Sequence, residues 1–284
     1  MIGFGANLVH VMHGTGGVIE EKAPAITNLL AALFFPIPLL MILVTGQELI
    51  TANLMTLPMA AINGRIKAWE VPVNWLIVFF GNLTGVLVYA ELLAQCSELY
   101  TGEALLAFTV KLAMKKCNLP WGVVVLRGIG CNFLVCMGVW LAVTSREMGS
   151  KIIAMYLPAG LFVFLGMEHV AANMYFVPVR PSNQRATFSD IQMGMMNGAD
   201  ITVGQYIGRS IIPSFIGNMI GGGLLGIPMV FIYHPPMLPS FLTRNKSESS
   251  LSTLNEAPTR SRSRIAEAYP MEDIRTDESM ANKV

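Results

Sequence analysis

Residues 46–55 read GQELITANLM and residues 166–175 read GMEHVAANMY. The two decads share Gly, Glu, Ala and Asn at the same offsets, and each places a carboxylate in the middle of a long apolar stretch. An ionisable group at bilayer depth costs about 2.5–3.5 kcal/mol on insertion scales. Irregular backbone at that depth is tolerated only where protein covers it or where it lines a cavity. Both decads therefore read as breaks in membrane helices beside a pore. The next apolar stretch after each break carries a second match, GNLTG at 81–85 and GNMIG at 217–221. Two matches in the same order indicate a duplicated unit.

Composition agrees with a membrane setting. Of 284 residues, 53% are apolar and 13% charged, against about 25% charged in soluble domains, and the mean hydropathy is +0.54. Seven Lys/Arg and seven Asp/Glu crowd into Phe241–Val284, so the sequence before them is more lipid-compatible still. A net charge of +1 without a basic stripe gives no reason to expect a nucleic-acid partner. Cys131 and Cys136 share one apolar segment and read as packing residues, while Cys96 and Cys117 imply no bridge and no metal ligands. No cofactor is expected. Neither H-E-x-x-H nor G-x-S-x-G occurs, which argues against a membrane enzyme.

Stretches long enough to cross the hydrocarbon core are Met1–Ile19, which is short, then Thr27–Ile62, Val73–Leu93, Trp121–Val143, Lys151–Val177 and Tyr206–Tyr233. Six crossings place both termini on one side. Arg65, Lys67, Arg146, Lys151, Arg244 and Lys246 assign that side to the cytoplasm, although Lys111, Lys115, Lys116, Arg180 and Arg185 lie on the other. The expectation is an all-α transmembrane domain over 1–237, placed in the plasma membrane, and a disordered cytoplasmic tail over 238–284. SRSR at 261–264 is a candidate phosphorylation site in that tail.

Each copy of the repeat, about 1–100 and 101–237, carries three crossings, so the second copy is inverted relative to the first. Such inverted repeats hold their site near the midplane, between paired broken helices. Gly81, Gly85, Gly217 and Gly221 have the spacing that allows close helix approach. Asn82 and Asn218 read as polar supports for the breaks. Glu48 and Glu168 stand where half-helices restart, where a carboxylate can accept backbone N–H bonds. With Asn53 and Asn173 at the shared offset, they read as broken-helix architecture. The repeat leaves one residue unexplained, because His169 stands where the first copy has Leu49. Its plain reading is a neutral imidazole tying two helices together; its functional reading is a pore-lining donor to the substrate. His10, His13 and His234 read as structural.

The motifs TGQELITAN, FGNLTG, GCNFLVCMGVW, GMEHVAANMY and IGNMIGG, in this order between Ile2 and about Tyr233, resemble the formate/nitrite transporters. The tail and overall pattern look more like protozoan members, which carry lactate or formate with protons, than bacterial ones. The resemblance implies an aquaporin-like six-helix protomer, a homopentamer with one pore per protomer, and passage of small monocarboxylates (lactate, formate, pyruvate or nitrite as candidates) together with protons. It places His169 at the pore centre, with Thr51, Asn218 and Asn132 as polar neighbours. Phe35, Leu39, Phe162, Leu49 and Ile50 fall on the apolar constrictions, and Lys116 on a vestibule lysine that would attract anions. Family members have a longer first helix, and MIGFGANLVHVMHGTGG matches only its second half, so the first helix is expected to be truncated here.

A bare carboxylate crossing an apolar ring faces a desolvation cost of tens of kcal/mol in the idealised limit and normally neutralises instead. The expected sequence of events is anion attraction, protonation, then passage of the neutral acid. The competing reading is an aquaporin-like channel for small neutral solutes, although the paired Asn-Pro-Ala loops of such channels are absent.

Overall fold

The computed structural model describes residues 1–97, 103–177 and 201–233, all within one compact unit. The expected tail at 238–284, its SRSR segment, His234, and Arg180, Arg185, Arg244 and Lys246 lie outside the described residues. Within them every regular element is helical. The chain runs α1 (Ile2–Gly14), α2 (Gly17–Lys22), α3 (Pro24–Phe34), α4 (Pro36–Thr45), α5 (Ile50–Ile62), α6 (Glu70–Val88), α7 (Glu103–Asn118), α8 (Trp121–Thr144), α9 (Met148–Phe164), α10 (Val170–Phe176), α11 (Val203–Tyr206) and α12 (Ile212–Tyr233). α6 continues as a π-helical segment, Tyr89–Gln95, and Ile207–Ile211 joins α11 to α12 in the same way.

Pro24 and Pro36 occupy first-turn positions, where the missing N–H costs nothing. Phe35 keeps helical dihedrals between α3 and α4, so Pro24–Thr45 forms one apolar rod long enough to span a bilayer. Glu70–Ala94, Trp121–Thr144 and Val203–Tyr233 are also long and apolar enough. Several sequence boundaries shift, the third stretch to Glu70 from Val73 and the fifth to Met148 from Lys151 among them. The first stretch stops at Gly14 and gives way to α2 rather than running to Ile19. The second starts at Pro24 rather than Thr27. The last starts at Val203, where the Thr202 hydroxyl and the Gln205 side chain form a reciprocal cap.

The two breaks are built alike. α4 ends at Gly46 with φ +68°, and the Gln47 N–H reaches back to Ile42 O at 3.0 Å. α9 ends before Gly166 with φ +62°, and the Met167 N–H reaches Phe162 O at 3.1 Å. Left-handed backbone costs a side-chain-bearing residue about 1–2 kcal/mol, which is why glycine opens both decads. After the turn, Leu49 (φ −116°, ψ 126°) and His169 (φ −104°, ψ 116°) are extended, and α5 and α10 begin.

One asparagine bridges each gap. The Ile50 N–H donates to Asn82 Oδ1 at 2.8 Å, and Asn82 Nδ2 donates to Glu48 O at 3.0 Å. In the second copy the Val170 N–H donates to Asn218 Oδ1 at 2.9 Å, and Asn218 Nδ2 donates to Glu168 O at 2.9 Å. The duplicated unit is thus an all-α membrane fold of inverted three-helix repeats with two broken helices, in which the third span of each copy holds that copy's break. The copies also interlock, with α5 packed on α12 and α10 on α6.

The glycines of the two copies do different work. A Cβ on Gly217 would lie 2.3 Å from Val125 O, and one on Gly221 2.3 Å from Ile129 O, so α12 rests directly on the α8 backbone. Gly81 and Gly85 meet nothing within 4 Å. Gly221→Ala is therefore expected to force the two helices apart and cost about 1–3 kcal/mol, as overpacking does. Gly85→Ala should leave protomer stability unchanged or slightly raised. Thermal unfolding of the detergent-solubilised variants checks both.

Candidate functional site

The second break forms the inner end of a cavity of about 280 Å³. Phe35, Phe162, Glu168 and His169 line it deep in the protein, and His13, Glu20, Lys111 and Lys115 line it towards the surface. His169 is 2% exposed. Its ring stacks on Phe162 (centroids 5.6 Å, interplanar angle 27°), while Phe35 meets Phe162 edge-on at 5.6 Å and His169 at 6.4 Å. Two aromatic rings and one imidazole thus close this end.

Both nitrogens of His169 are engaged. The extended backbone at this position makes it the N-cap of α10, and Nδ1 accepts the Ala172 N–H at 3.2 Å. That acceptor role assigns the ring proton to Nε2, which lies 3.1 Å from Thr51 Oγ1. Thr51 comes from the first turn of α5, after the first break, so the pair joins the two breaks across the pseudo-symmetry. A hydroxyl can accept one bond and still donate its own proton. Thr51 Oγ1 is therefore left with a proton to give.

Asn132 on α8 ties this centre together, donating from Nδ2 to Thr51 O at 3.0 Å and to Asn218 O at 2.7 Å. Its Oδ1 is buried without a partner among the described residues. Asn218 is fully used, since its Nδ2 also donates to Gly128 O at 2.9 Å. Thr51, Asn132 and Asn218 lie behind the cavity wall: Thr51 and Asn218 bond to His169 and Glu168, which line it, and Asn132 bonds to both. Leu39, Leu49 and Ile50 are buried in the surrounding core and do not line this cavity, in contrast to Phe35 and Phe162.

The carboxylates differ from the sequence expectation in what they bind. Glu168 accepts Lys116 Nζ at 2.8 Å and Asn173 Nδ2 at 2.9 Å rather than backbone N–H groups. Glu48 accepts Asn53 Nδ2 at 3.1 Å and Asn74 Nδ2 at 3.3 Å. Asn82, Asn218 and His169 make the backbone bonds instead. Lys116 is buried in its pair with Glu168, and its ammonium also stands 5.8 Å from the Phe176 ring centre, within cation–π reach.

Sequence reasoning passed over the outer part of the cavity. Its helix α7 is amphipathic and lysine-bearing, so it escapes a search for membrane spans. His13 Nδ1 lies 3.0 Å from Glu20 Oε2, the Thr27 hydroxyl donates to the same oxygen, and the His13 ring stacks on Phe108. Asn74 was also missed, although an asparagine in the apolar run VPVNWLIVFF signals a partnered polar group.

The formate/nitrite transporter family model matches residues 1–233. The uncharacterized transporter YrhG of Bacillus subtilis is 34% identical over 219 residues, covering 77% of this chain and 76% of that one. Formate-nitrite transporter 2 of Toxoplasma gondii is 31% identical over 191 residues, covering 67% of this chain and 38% of that longer protein. Identity therefore does not set this chain closer to the protozoan relative than to the bacterial one. A solved pentameric formate channel with formate bound superposes with a TM-score of 0.67 at 27% identity, over 82% of this chain and 92% of that one. The paired glycine-ended breaks, their asparagine bridges and a match across nearly all described residues make one statement together: this chain is a member of the formate/nitrite transporter family, an integral membrane transporter or channel and not an enzyme.

Proposed function

We propose that the chain carries small monocarboxylates, formate foremost and lactate, pyruvate or nitrite as further candidates, together with a proton through a pore in each protomer. One observation carries the reading: His169 lines the closed end of a cavity sealed by Phe35 and Phe162, and its Nε2 is bonded to the Thr51 hydroxyl just behind that wall. Formate is favoured because the superposed pentameric channel binds it. That likeness also supports a homopentamer. Plasma-membrane placement with both termini cytoplasmic belongs to the same proposal.

The chemistry follows from desolvation. A carboxylate leaving water for the Phe35–Phe162 ring loses its hydration, which raises the substrate's own pKa and favours the neutral acid. Once past the ring, the acid reaches the Thr51 hydroxyl, which His169 fixes and which has a proton to donate to the substrate oxygen. The acid and its proton then pass as one electroneutral unit. A neutral-solute channel is not favoured, because its paired Asn-Pro-Ala loops are replaced by Ala-Asn at both breaks.

Purified protein in liposomes tests the proposal. Formate uptake should rise with an inward proton gradient, and uptake indifferent to the gradient would sink proton coupling. His169→Asn keeps a good N-cap side chain but loses the reach to Thr51. It should reduce uptake about tenfold, the equivalent of one hydrogen bond of about 1.4 kcal/mol, while assembly is preserved. Unchanged uptake would return His169 to a purely structural role.

A further inference from the structure

We infer that Glu91 of one protomer pairs with Arg127 of a second copy of the chain, so that α6 and α8 carry the two faces that meet around the assembly. This rests on the homopentamer reading above. Both residues lie inside apolar helices long enough to cross a bilayer, Glu70–Ala94 and Trp121–Thr144. Glu91 is exposed and Arg127 half-buried, and neither has an ion pair among the described residues. Charges inside membrane spans are rare and pair with one another. A carboxylate and a guanidinium left over on the same protomer are complementary in charge and in hydrogen-bonding shape.

The two residues stand on different faces. Glu91 continues an exposed stripe of Ile77, Phe80, Thr84 and Val88, whose steps of three and four residues keep to one side of the helix. Gly81 and Gly85 run beside that stripe and meet nothing within 4 Å, so another helix can approach it closely. Arg127 follows Leu126, which is 70% exposed. Within the protomer α8 packs on α12, α9 and α5, whereas α6 packs on α5, α10 and α1. A closed ring is built from such heterologous contacts, one face against a different one.

Their depths also match. Consecutive spans cross in opposite directions, so the end of the first helix and the start of the second lie on the same side of the membrane. Glu91 is three residues short of Ala94 and Arg127 six past Trp121, roughly 5 and 9 Å from that side. The longer arginine side chain covers the difference. Rotation about an axis normal to the membrane preserves depth, so the pair recurs at every contact in the ring.

Native electrophoresis of the detergent-solubilised protein and chemical cross-linking test the pairing. Glu91→Arg and Arg127→Glu should each lower the association constant about tenfold or more, because like charges then face each other. Glu91→Arg/Arg127→Glu should restore the assembly. With the exposed Cys96 changed to serine, Glu91→Cys/Arg127→Cys treated with a short bismaleimide should give a ladder of linked protomers on a denaturing gel, and either cysteine alone should not. A charge swap no better than the single reversals, or a double-cysteine pentamer without a ladder, overturns the inference. So does an assembly loosened by Arg127→Gln and untouched by Glu91→Gln, which would mean that a lipid phosphate holds the arginine. An unmodified protein that runs as a monomer takes down the homopentamer reading, and the pairing with it.

Discussion

Lys116→Met is expected to destabilise the protein by about 3–5 kcal/mol, the usual cost of stranding one member of a buried ion pair. The Glu168 side chain is 2% exposed and, among the described residues, would keep only the Asn173 amide as a partner. Removing the charge from both sides, as in Lys116→Met/Glu168→Gln, should recover most of that loss, because the substituted amide can still accept from Asn173 through its carbonyl oxygen. The first copy supplies a control. Glu48 is exposed and its second partner is the neutral Asn74, so Asn74→Leu should cost under about 1 kcal/mol. Thermal unfolding in detergent ranks the three. If Lys116→Met is no worse than the double variant, the pair contributes packing only.

The contrast between the two carboxylates also shows what the sequence can and cannot disclose. The breaks were legible because glycine, glutamate and asparagine recur at fixed offsets, and each offset has a local cause: the left-handed turn at Gly46 and Gly166, and the side-chain bond from Asn53 or Asn173 back to the glutamate five residues earlier. Partners distant in sequence were not legible. Lys116 is 52 residues from Glu168, on a helix too polar to register as a span, and periodicity holds no record of that pairing. The capping role moved for a similar reason. A carboxylate at the break was expected to take the first free N–H, but an asparagine on the third span both accepts that N–H and donates to the glutamate carbonyl. A carboxylate cannot donate.

The family resemblance placed Lys116 and the constriction residues, and geometry then separated them. Phe35 and Phe162 touch the cavity, while Leu39, Leu49 and Ile50 are packed into the core around it. The mouth, with His13, Glu20, Lys111 and Lys115, assembles from three helices, so no single stretch of sequence announces it.

Asn218→Ala should remove about 2–5 kcal/mol and most transport together, because one side chain holds three buried backbone groups. It accepts the Val170 N–H and donates to Glu168 O and Gly128 O. Each orphaned group costs about 1–3 kcal/mol when water cannot reach it, with partial relaxation reducing the sum. Val170 follows His169 directly, so slackening there also moves the imidazole off Thr51. Asn82→Ala removes the matching bridge of the first copy, but Asn82 is only half-buried, and its loss should be the smaller of the two. Asn218→Asp separates the two halves of the bridge. It keeps an acceptor for Val170 but sets a carboxylate against two carbonyl oxygens, so it should be at least as damaging as alanine. Stability and formate uptake of all three variants provide the measurement. Full activity in Asn218→Asp would mean that only the accepted bond matters and that the donated ones are dispensable.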